Sequence, residues 1–188
     1  MKDRRSFESD TIAALLTEAE ADLALCHVDT PRLDAEVLLS HTLITDRTSL
    51  YTRLQTPISA AHKRQFRELV ARRKQREPLA YIIASREFWS LEFHVDTHVL
   101  IPRPETEIVV QTALCLLHKT AITTPVILDM GTGSGCIAVA LATELPQAAL
   151  WAVDIEHDAL ALARQNARRH AVGERLTFRQ GDLFVPVS

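Results

Sequence analysis

The 188-residue sequence is poor in glycine and cysteine and has no large excess of either charge. Five glycines and eight prolines exclude a collagen-like or low-complexity chain, and 47% hydrophobic residues exclude a wholly disordered one. The formal net charge of -3 indicates neither nucleic acid nor membrane as an obligatory partner. The longest apolar run, residues 136–142, is far too short to span a bilayer.

The three cysteines are an odd number, lie far apart and form no Cys-x-x-Cys pair. Residues 1–8 contain no apolar segment of the kind that a secretory signal requires. Both features fit a reducing compartment, so we expect a cytoplasmic location.

Residues 1–77 carry hydrophobic positions at helical spacing only, which predicts a small helical-bundle domain. Thr30 and Pro31 are typical of a cap and first position of one helix, and Ser59 of the cap of another. The helix after Ser59 is rich in basic residues: Lys63, Arg64, Arg67, Arg72, Arg73, Lys74 and Arg76. This basic face either docks an acidic partner or is simply solvated. The second interpretation is favoured, because no aromatic residues interleave for base stacking.

From Pro78 onward the pattern changes to strand-forming residues and then to alternating elements. Residues 87–95 predict a β-hairpin, which we place in a linker of residues 78–101. Residues 102–188 then predict a further domain that begins with a helix. Its next elements are a strand at 126–128, a helix at 134–145, a strand at 150–153, a helix at 157–171 ended by Gly173, and a strand from 176. This alternation predicts an α/β fold with a Rossmann-like parallel sheet, represented here by about three strands.

A glycine-rich loop between a predicted strand and helix is the strongest functional signal. Gly131, Thr132, Gly133, Ser134 and Gly135 form this loop, and Asp154 ends the next strand. Glycine permits a tight turn and lets a ligand approach the backbone, while a carboxylate at Asp154 can accept both hydroxyls of a ribose. The alternative is a glycine-rich turn without a ligand. We expect a nucleoside site at the carboxyl edge of the sheet.

The spacing of the glycines selects among nucleoside cofactors. A dinucleotide fingerprint requires glycine or alanine where this loop has Cys136, so an NAD-dependent oxidoreductase is disfavoured. Asp129 precedes the loop, and an acid there suits a cationic ligand with an amino group and a sulfonium. S-adenosyl-L-methionine has that chemistry and is the expected cofactor. Asp182 and Leu183 follow the third strand, where they either flank the adenine or form an ordinary strand-exit turn.

No metal site is expected. His94 and His98 have the spacing of a helical metal pair, but they lie in a strand-like stretch without a third ligand. Cys136 has no paired histidine nearby in sequence and is predicted to be a small buried residue at a helix start.

Several segments together resemble the release factor glutamine methyltransferases. The segments are residues 32–39, 76–82, 86–89, the Leu-Ile-Pro-Arg-Pro-Glu-Thr-Glu stretch at 100–107, the loop at 131–135, and residues 152–155. The resemblance implies methyl transfer from S-adenosyl-L-methionine to the side-chain amide of the glutamine in the Gly-Gly-Gln loop of class 1 peptide chain release factors. It also implies that residues 131–135 line the methionine end of the cofactor, that Asp154 holds the ribose and that Leu183 lies beside the adenine.

The sequence departs from that family in one important respect. Family members hold the target amide with an Asn-Pro-Pro-Tyr segment, and none occurs among these 188 residues. We therefore expect no catalytic residue before Ser188, a C-terminally truncated methyltransferase domain, and an open hydrophobic edge on the strand at 126–128. The alternatives are a non-catalytic remnant that binds cofactor or release factor, and, less favoured, a DNA adenine amino-methyltransferase. We expect a monomer that binds release factors, without direct contact to nucleic acid or membrane.

Overall fold

A computed structural model describes residues 11–187, which divide into two compact units, one ending at Ile83 and the other beginning at Ala84. Residues 1–10 and 188, which belong to the first and last predicted domains, lie outside the described residues. The predicted boundaries after residues 77 and 101 stay predictions. Within the described part of the chain, no helix is long and apolar enough to cross a membrane.

The first unit consists of helices, as its sequence predicts. They are α1 (Ile12–Leu25), α2 (Pro31–Leu43), α3 (Arg47–Thr52), α4 (Ala60–Lys74) and α5 (Leu79–Ile82). Thr11 and Ser59 cap α1 and α4 through side-chain oxygens that accept backbone N–H groups of Ala14 and His62. Pro31 occupies the first turn of α2, as predicted.

The core of the first unit lies within residues 12–83. Its largest fully buried side chains come from four helices: Leu15, Leu16, Leu23, Leu38, Leu39, Leu50 and Phe66. Burial of such leucine and phenylalanine side chains contributes about 1.5–3 kcal/mol each, which is the main source of this unit's stability.

The second unit begins with an antiparallel hairpin, β1 (Ser85–Phe88) and β2 (Leu91–His94). A 3-10 turn (Pro104–Thr106) leads into α6 (Glu107–Lys119). The βαβα run follows as β3 (Val126–Met130), α7 (Cys136–Glu144), β4 (Ala149–Asp154), α8 (His157–Arg169) and β5 (Leu176–Gln180). Two further 3-10 turns span Gly173–Arg175 and Val185–Val187.

Strands β3, β4 and β5 form one parallel sheet in that order, which confirms the predicted α/β fold and its parallel sheet. All three strands run in the same direction, so the residues that follow them gather at the carboxyl edge. The buried face of α8, which includes Leu160, Ala163 and Ala167, packs toward this sheet. One prediction was wrong in detail: α8 ends at Arg169, and Gly173 lies beyond its cap in a 3-10 turn.

Candidate functional site

The glycine-rich loop lies at the carboxyl edge of the sheet, between β3 and α7. Gly131, Gly133 and Gly135 adopt φ values of 73°, 53° and 80°, a left-handed region that residues with a Cβ rarely enter. The backbone N–H groups of Gly131 and Thr132 both donate to the Val153 carbonyl of β4, at 2.8 and 3.0 Å. The loop is thereby fixed against the end of the neighbouring strand.

The glycines of this loop differ in the free space around the position that a Cβ would occupy. A Cβ added at Gly131 or Gly133 would meet nothing within 4 Å. At Gly135, an added Cβ would come within 3.1 Å of the Ala163 Cβ on α8. The first two glycines therefore face open space that a ligand can enter, whereas the third permits close packing of the loop on α8.

Asp154 ends β4 beside the loop. Its Oδ2 accepts from the Gly133 N–H at 2.8 Å, and its Oδ1 accepts from the Glu156 N–H at 3.0 Å. A carboxylate has about four lone-pair sites, so these two bonds leave acceptor capacity for two ribose hydroxyls. The Gly181 N–H donates to the Asp154 carbonyl at 3.0 Å, which brings the loop after β5 to the same edge.

Leu183 belongs to that loop after β5. Its side chain is 60% exposed, and that of Phe184 is 59% exposed. The expected contact between Leu183 and an adenine ring stays a prediction. Thr132 and Ser134 of the glycine loop are buried, and their expected contact with the cofactor stays a prediction.

Asp129, the acid before the loop, is in an unusual electrostatic environment. Burial raises the pKa of its carboxyl above the ordinary value. The Thr132 hydroxyl, which donates to Oδ2 at 2.7 Å, and the Ala138 amide lower the pKa, and the nearby Asp154 charge raises it further. A cation placed beside Asp129 would relieve this cost.

Cys136 begins α7 and is buried, as predicted. Burial raises the pKa of its thiol to about 11. A thiol with that pKa holds its proton at neutral pH and is a poor nucleophile. Among residues 11–187, no group of three or more His, Cys, Asp or Glu side chains is arranged to hold a metal ion.

Asn166 is a site residue that the sequence analysis missed. It is fully buried on α8, and its side-chain amide donates to the Ser134 carbonyl of the glycine loop at 2.8 Å. The signal available in the sequence is an amide at a position of α8 that helical spacing turns toward the sheet, among alanines and leucines.

The basic face of α4 is largely paired within its own unit. Arg67 pairs with Glu18 at 3.0 Å, Lys74 with Asp22 at 2.8 Å and Arg73 with Asp34 at 2.7 Å. These pairs fasten α4 to α1 and α2. They favour a structural role for this face over the docking of an acidic partner.

A cleft of about 710 Å³ lies elsewhere in the second unit, between α8 and β5. It is lined by Arg164, Arg168, Arg175 and Phe178, and it shares no lining residue with the glycine loop. The Arg164 guanidinium lies over the Phe178 ring, and Arg175 donates to the Leu145 carbonyl. Arg164 and Arg175 therefore have structural partners already.

Comparison with known proteins matches the two units to two family models. Residues 14–83 match the PrmC N-terminal domain, and residues 124–185 match a methyltransferase domain. Among solved structures, an RNA methyltransferase from Salinibacter ruber in complex with S-adenosyl-L-homocysteine is 33% identical, covering 45% of this chain and 52% of that chain, with a TM-score of 0.37.

Curated relatives bear one common name. The release factor glutamine methyltransferase of Geobacter sulfurreducens is 44% identical over 177 residues, which are 94% of this chain and 60% of that protein. The protein of that name from Burkholderia pseudomallei is 48% identical over 157 residues, 81% of this chain and 54% of that protein. The chain thus spans between half and two thirds of the length of these relatives. With this pair of matched domains and this level of identity, the chain is similar over nearly its whole length to the release factor glutamine methyltransferases.

Proposed function

We propose that the chain binds S-adenosyl-L-methionine and takes part in methylation of the glutamine side chain in the Gly-Gly-Gln loop of class 1 release factors. The single observation that carries the proposal is the glycine loop at Gly131–Gly135. It is open at Gly131 and Gly133, and it lies between the carboxylates of Asp129 and Asp154. The matched methyltransferase domain and the names of the relatives support the same reaction class.

The residues fit the proposed cofactor. Asp154 has spare acceptor capacity for ribose hydroxyls, and Asp129 offers negative charge to an amino group and a sulfonium. Leu183 is exposed on a loop at the same edge and is available to cover the adenine. When bound, the cofactor supplies a methyl group on a positively charged sulfur. The amide nitrogen of the glutamine would bond to that methyl group as the sulfur–methyl bond breaks. The electron pair of the broken bond would stay on sulfur, so S-adenosyl-L-homocysteine would leave as a neutral thioether, and the nitrogen would release one proton to solvent.

A second candidate function is binding of cofactor or release factor without turnover. The observations in its favour are the open glycine loop and the two carboxylates beside it, which suffice for binding. An amide nitrogen is a weak nucleophile, so transfer depends chiefly on positioning of the two reacting groups. Binding depends only on the loop and the carboxylates described above.

One experiment separates these possibilities. The chain and the full-length Geobacter sulfurreducens relative would each be incubated with labelled S-adenosyl-L-methionine and a purified class 1 release factor. Cofactor binding would be measured in parallel by calorimetry. Label on the Gly-Gly-Gln glutamine with both proteins supports transfer by this chain. Label with the relative only, together with binding of cofactor by the chain, supports the second candidate, and absence of cofactor binding contradicts both cofactor assignments.

A matched pair of variants assigns the binding to the proposed site. Asp154→Asn replaces one acceptor oxygen by a donor group, and we expect at least about a tenfold loss of cofactor affinity, the effect of a lost hydrogen bond to a charged group. Asp29→Asn makes the same chemical change at an exposed position of the first unit and should leave affinity unchanged. Equal effects of the two variants would argue against a ribose site at Asp154.

A further inference from the structure

Asn166 connects the glycine loop to the hairpin through backbone hydrogen bonds. Its Nδ2 donates to the Ser134 carbonyl at 2.8 Å and to the His94 carbonyl at 3.0 Å. Its Oδ1 accepts from the His94 N–H at 2.8 Å. A single side chain, itself without exposed surface, therefore holds three backbone groups from two segments distant in sequence.

Each of these backbone groups depends on the Asn166 amide. Ser134 precedes Gly135, the left-handed N-cap residue of α7, whose own carbonyl accepts from the Val139 N–H at 2.8 Å. His94 is the last residue of β2 and pairs with Ser85 in the hairpin. Buried backbone groups that lose their partners carry a large desolvation cost. An aspartate at position 166 would keep the shape but turn carboxylate oxygens toward both carbonyls.

The hairpin is fixed at its other end as well. Its turn residue Trp89 donates from its backbone N–H to Glu107 and from its indole N–H to Glu144, both at 2.8 Å. Arg169 pairs with Glu92 of β2 at 2.6 Å. The hairpin is thus a firmly attached part of the second unit, and it can serve as a rigid support for the loop.

We propose that Asn166 is a positioning residue that holds the Ser134 carbonyl, and with it the glycine loop, in the ligand-binding conformation, and that it couples the loop to β2. This inference rests on the proposed function, because it assumes that the loop binds the cofactor. Gly135 packs on Ala163 of the same helix, so α8 supports the loop by shape and by hydrogen bonding together. We therefore expect ligand binding at the glycine loop to stabilise the hydrogen bond from the His94 N–H to Asn166.

The first test uses the unaltered chain. Hydrogen exchange of the His94 amide would be followed by NMR with and without S-adenosyl-L-homocysteine. We expect exchange to slow by about tenfold on binding, since a ligand that stabilises the loop also stabilises the bond from the His94 N–H to Asn166. Binding of the ligand with unchanged His94 exchange would overturn the coupling.

The second test separates positioning from mere stability. Asn166→Asp would be compared with Leu162→Ala, which removes buried surface from the same helix. At temperatures where both variants are fully folded, we expect Asn166→Asp to lower affinity for S-adenosyl-L-homocysteine by about tenfold and Leu162→Ala to leave it nearly unchanged. Equal affinities for the two variants would overturn the positioning role.

The outcomes also distinguish this inference from the proposed function. If the unaltered chain binds no S-adenosyl-L-homocysteine, the proposed cofactor site is wrong and the inference fails with it. If the chain binds and both tests show no effect of Asn166, the cofactor site stands and only the inference is wrong. If Asn166→Asp does not fold, the exchange measurement on the unaltered chain still decides the coupling.

Discussion

The ionised carboxyl of Asp129 destabilises the folded protein because it is buried, and a cationic ligand beside it would offset this destabilisation. Burial raises its pKa, and the neighbouring Asp154 charge contributes in the same direction. Because the pKa is raised on folding, the folded protein keeps this proton over a pH range in which the unfolded chain has lost it. The contribution of Asp129 to stability is therefore greatest at low pH. It falls as the pH rises through the unfolded value of about 3.9 and up to the folded value.

This environment predicts opposite effects of Asp129→Asn on stability and on binding. The amide keeps an oxygen that can accept from the Thr132 hydroxyl but carries no charge. The free energy of unfolding of the variant minus that of the unaltered chain should therefore increase between about pH 4 and pH 7. At pH 7 the variant should bind S-adenosyl-L-methionine about tenfold more weakly, since one charge interaction is lost.

Denaturant unfolding at several pH values and calorimetry at pH 7 would test both effects. Asp29→Asn, at an exposed position of the first unit, is the control and should change neither quantity. A stability difference between the variant and the unaltered chain that does not grow with pH would contradict the role assigned to Asp129. Binding as tight as that of the unaltered chain would contradict it as well.

At the scale of residues, the sequence predicted those site residues whose own side-chain chemistry indicates a role. It missed Asn166, whose role comes from hydrogen bonds to backbone groups. The loop glycines and Asp154 could be identified because their conformational freedom and charge belong to the residue type. Asn166 could not, because its importance depends on His94 and Ser134, which only the tertiary fold brings to it. Its partners are backbone groups, which carry no sequence signature.

The helices of the first unit are joined by an ionic network centred on the buried side chain of Glu36. This side chain of α2 is 2% exposed and accepts from the Arg32 Nε at 2.7 Å and the Arg47 Nη2 at 2.9 Å. The Tyr51 hydroxyl of α3 also donates to it. Burial by itself raises the pKa of Glu36, but the bonds from Tyr51, Arg32 and Arg47 outweigh it, and the pKa lies below the ordinary value.

We predict that Glu36→Gln destabilises the first unit by about 2 kcal/mol, because the bonds from the two arginines and Tyr51 then go to a neutral amide instead of a carboxylate. The pKa of Glu36 is lowered on folding, so its stabilisation is present above the unfolded pKa and is lost as the pH falls through the folded value. Urea unfolding followed by circular dichroism at 222 nm would measure this at pH 7 and at acid pH.

Glu20→Gln is the matched control for this network. Glu20 also pairs with Arg32, but its side chain is 45% exposed, so its loss should cost less than about 1 kcal/mol. A similar cost for both variants would show that burial of Glu36 adds nothing to its pairing.

At the scale of elements, periodicity predicted the long helices and the strands, but short elements escaped it. The predicted strand at 150–153 and helix at 157–171 correspond to Ala149–Asp154 and His157–Arg169. The sequence predicts that the helical part ends before Pro78, but Pro78 is the N-cap residue of one more short helix, Leu79–Ile82. Similarly, Ala171 takes the left-handed conformation after α8 that the sequence favoured for Gly173. At both places, tertiary packing determined the backbone conformation against the preference of the local sequence.

For the molecule as a whole, the sheet of the second unit is the feature with the clearest consequence. Among residues 11–187, β4 is the only strand that pairs with β3, so one edge of β3 presents unpaired backbone groups. Val126 on this strand is 76% exposed. An exposed apolar edge strand is a template for pairing with another chain, which is the liability expected from the sequence.

We therefore predict that Val126→Lys reduces self-association of this 188-residue chain. A charged side chain on an edge strand opposes strand addition by a second copy because its charge must be desolvated on pairing. Ile108→Lys is the control, since it makes the same change at a residue of α6 that is 62% exposed but lies outside the sheet. Sedimentation velocity over a range of concentrations would compare the two variants with the unaltered chain.

Association that falls with Val126→Lys and persists with Ile108→Lys locates the contact at β3. An equal fall with both variants would instead indicate that general hydrophobic surface, rather than the strand edge, drives association.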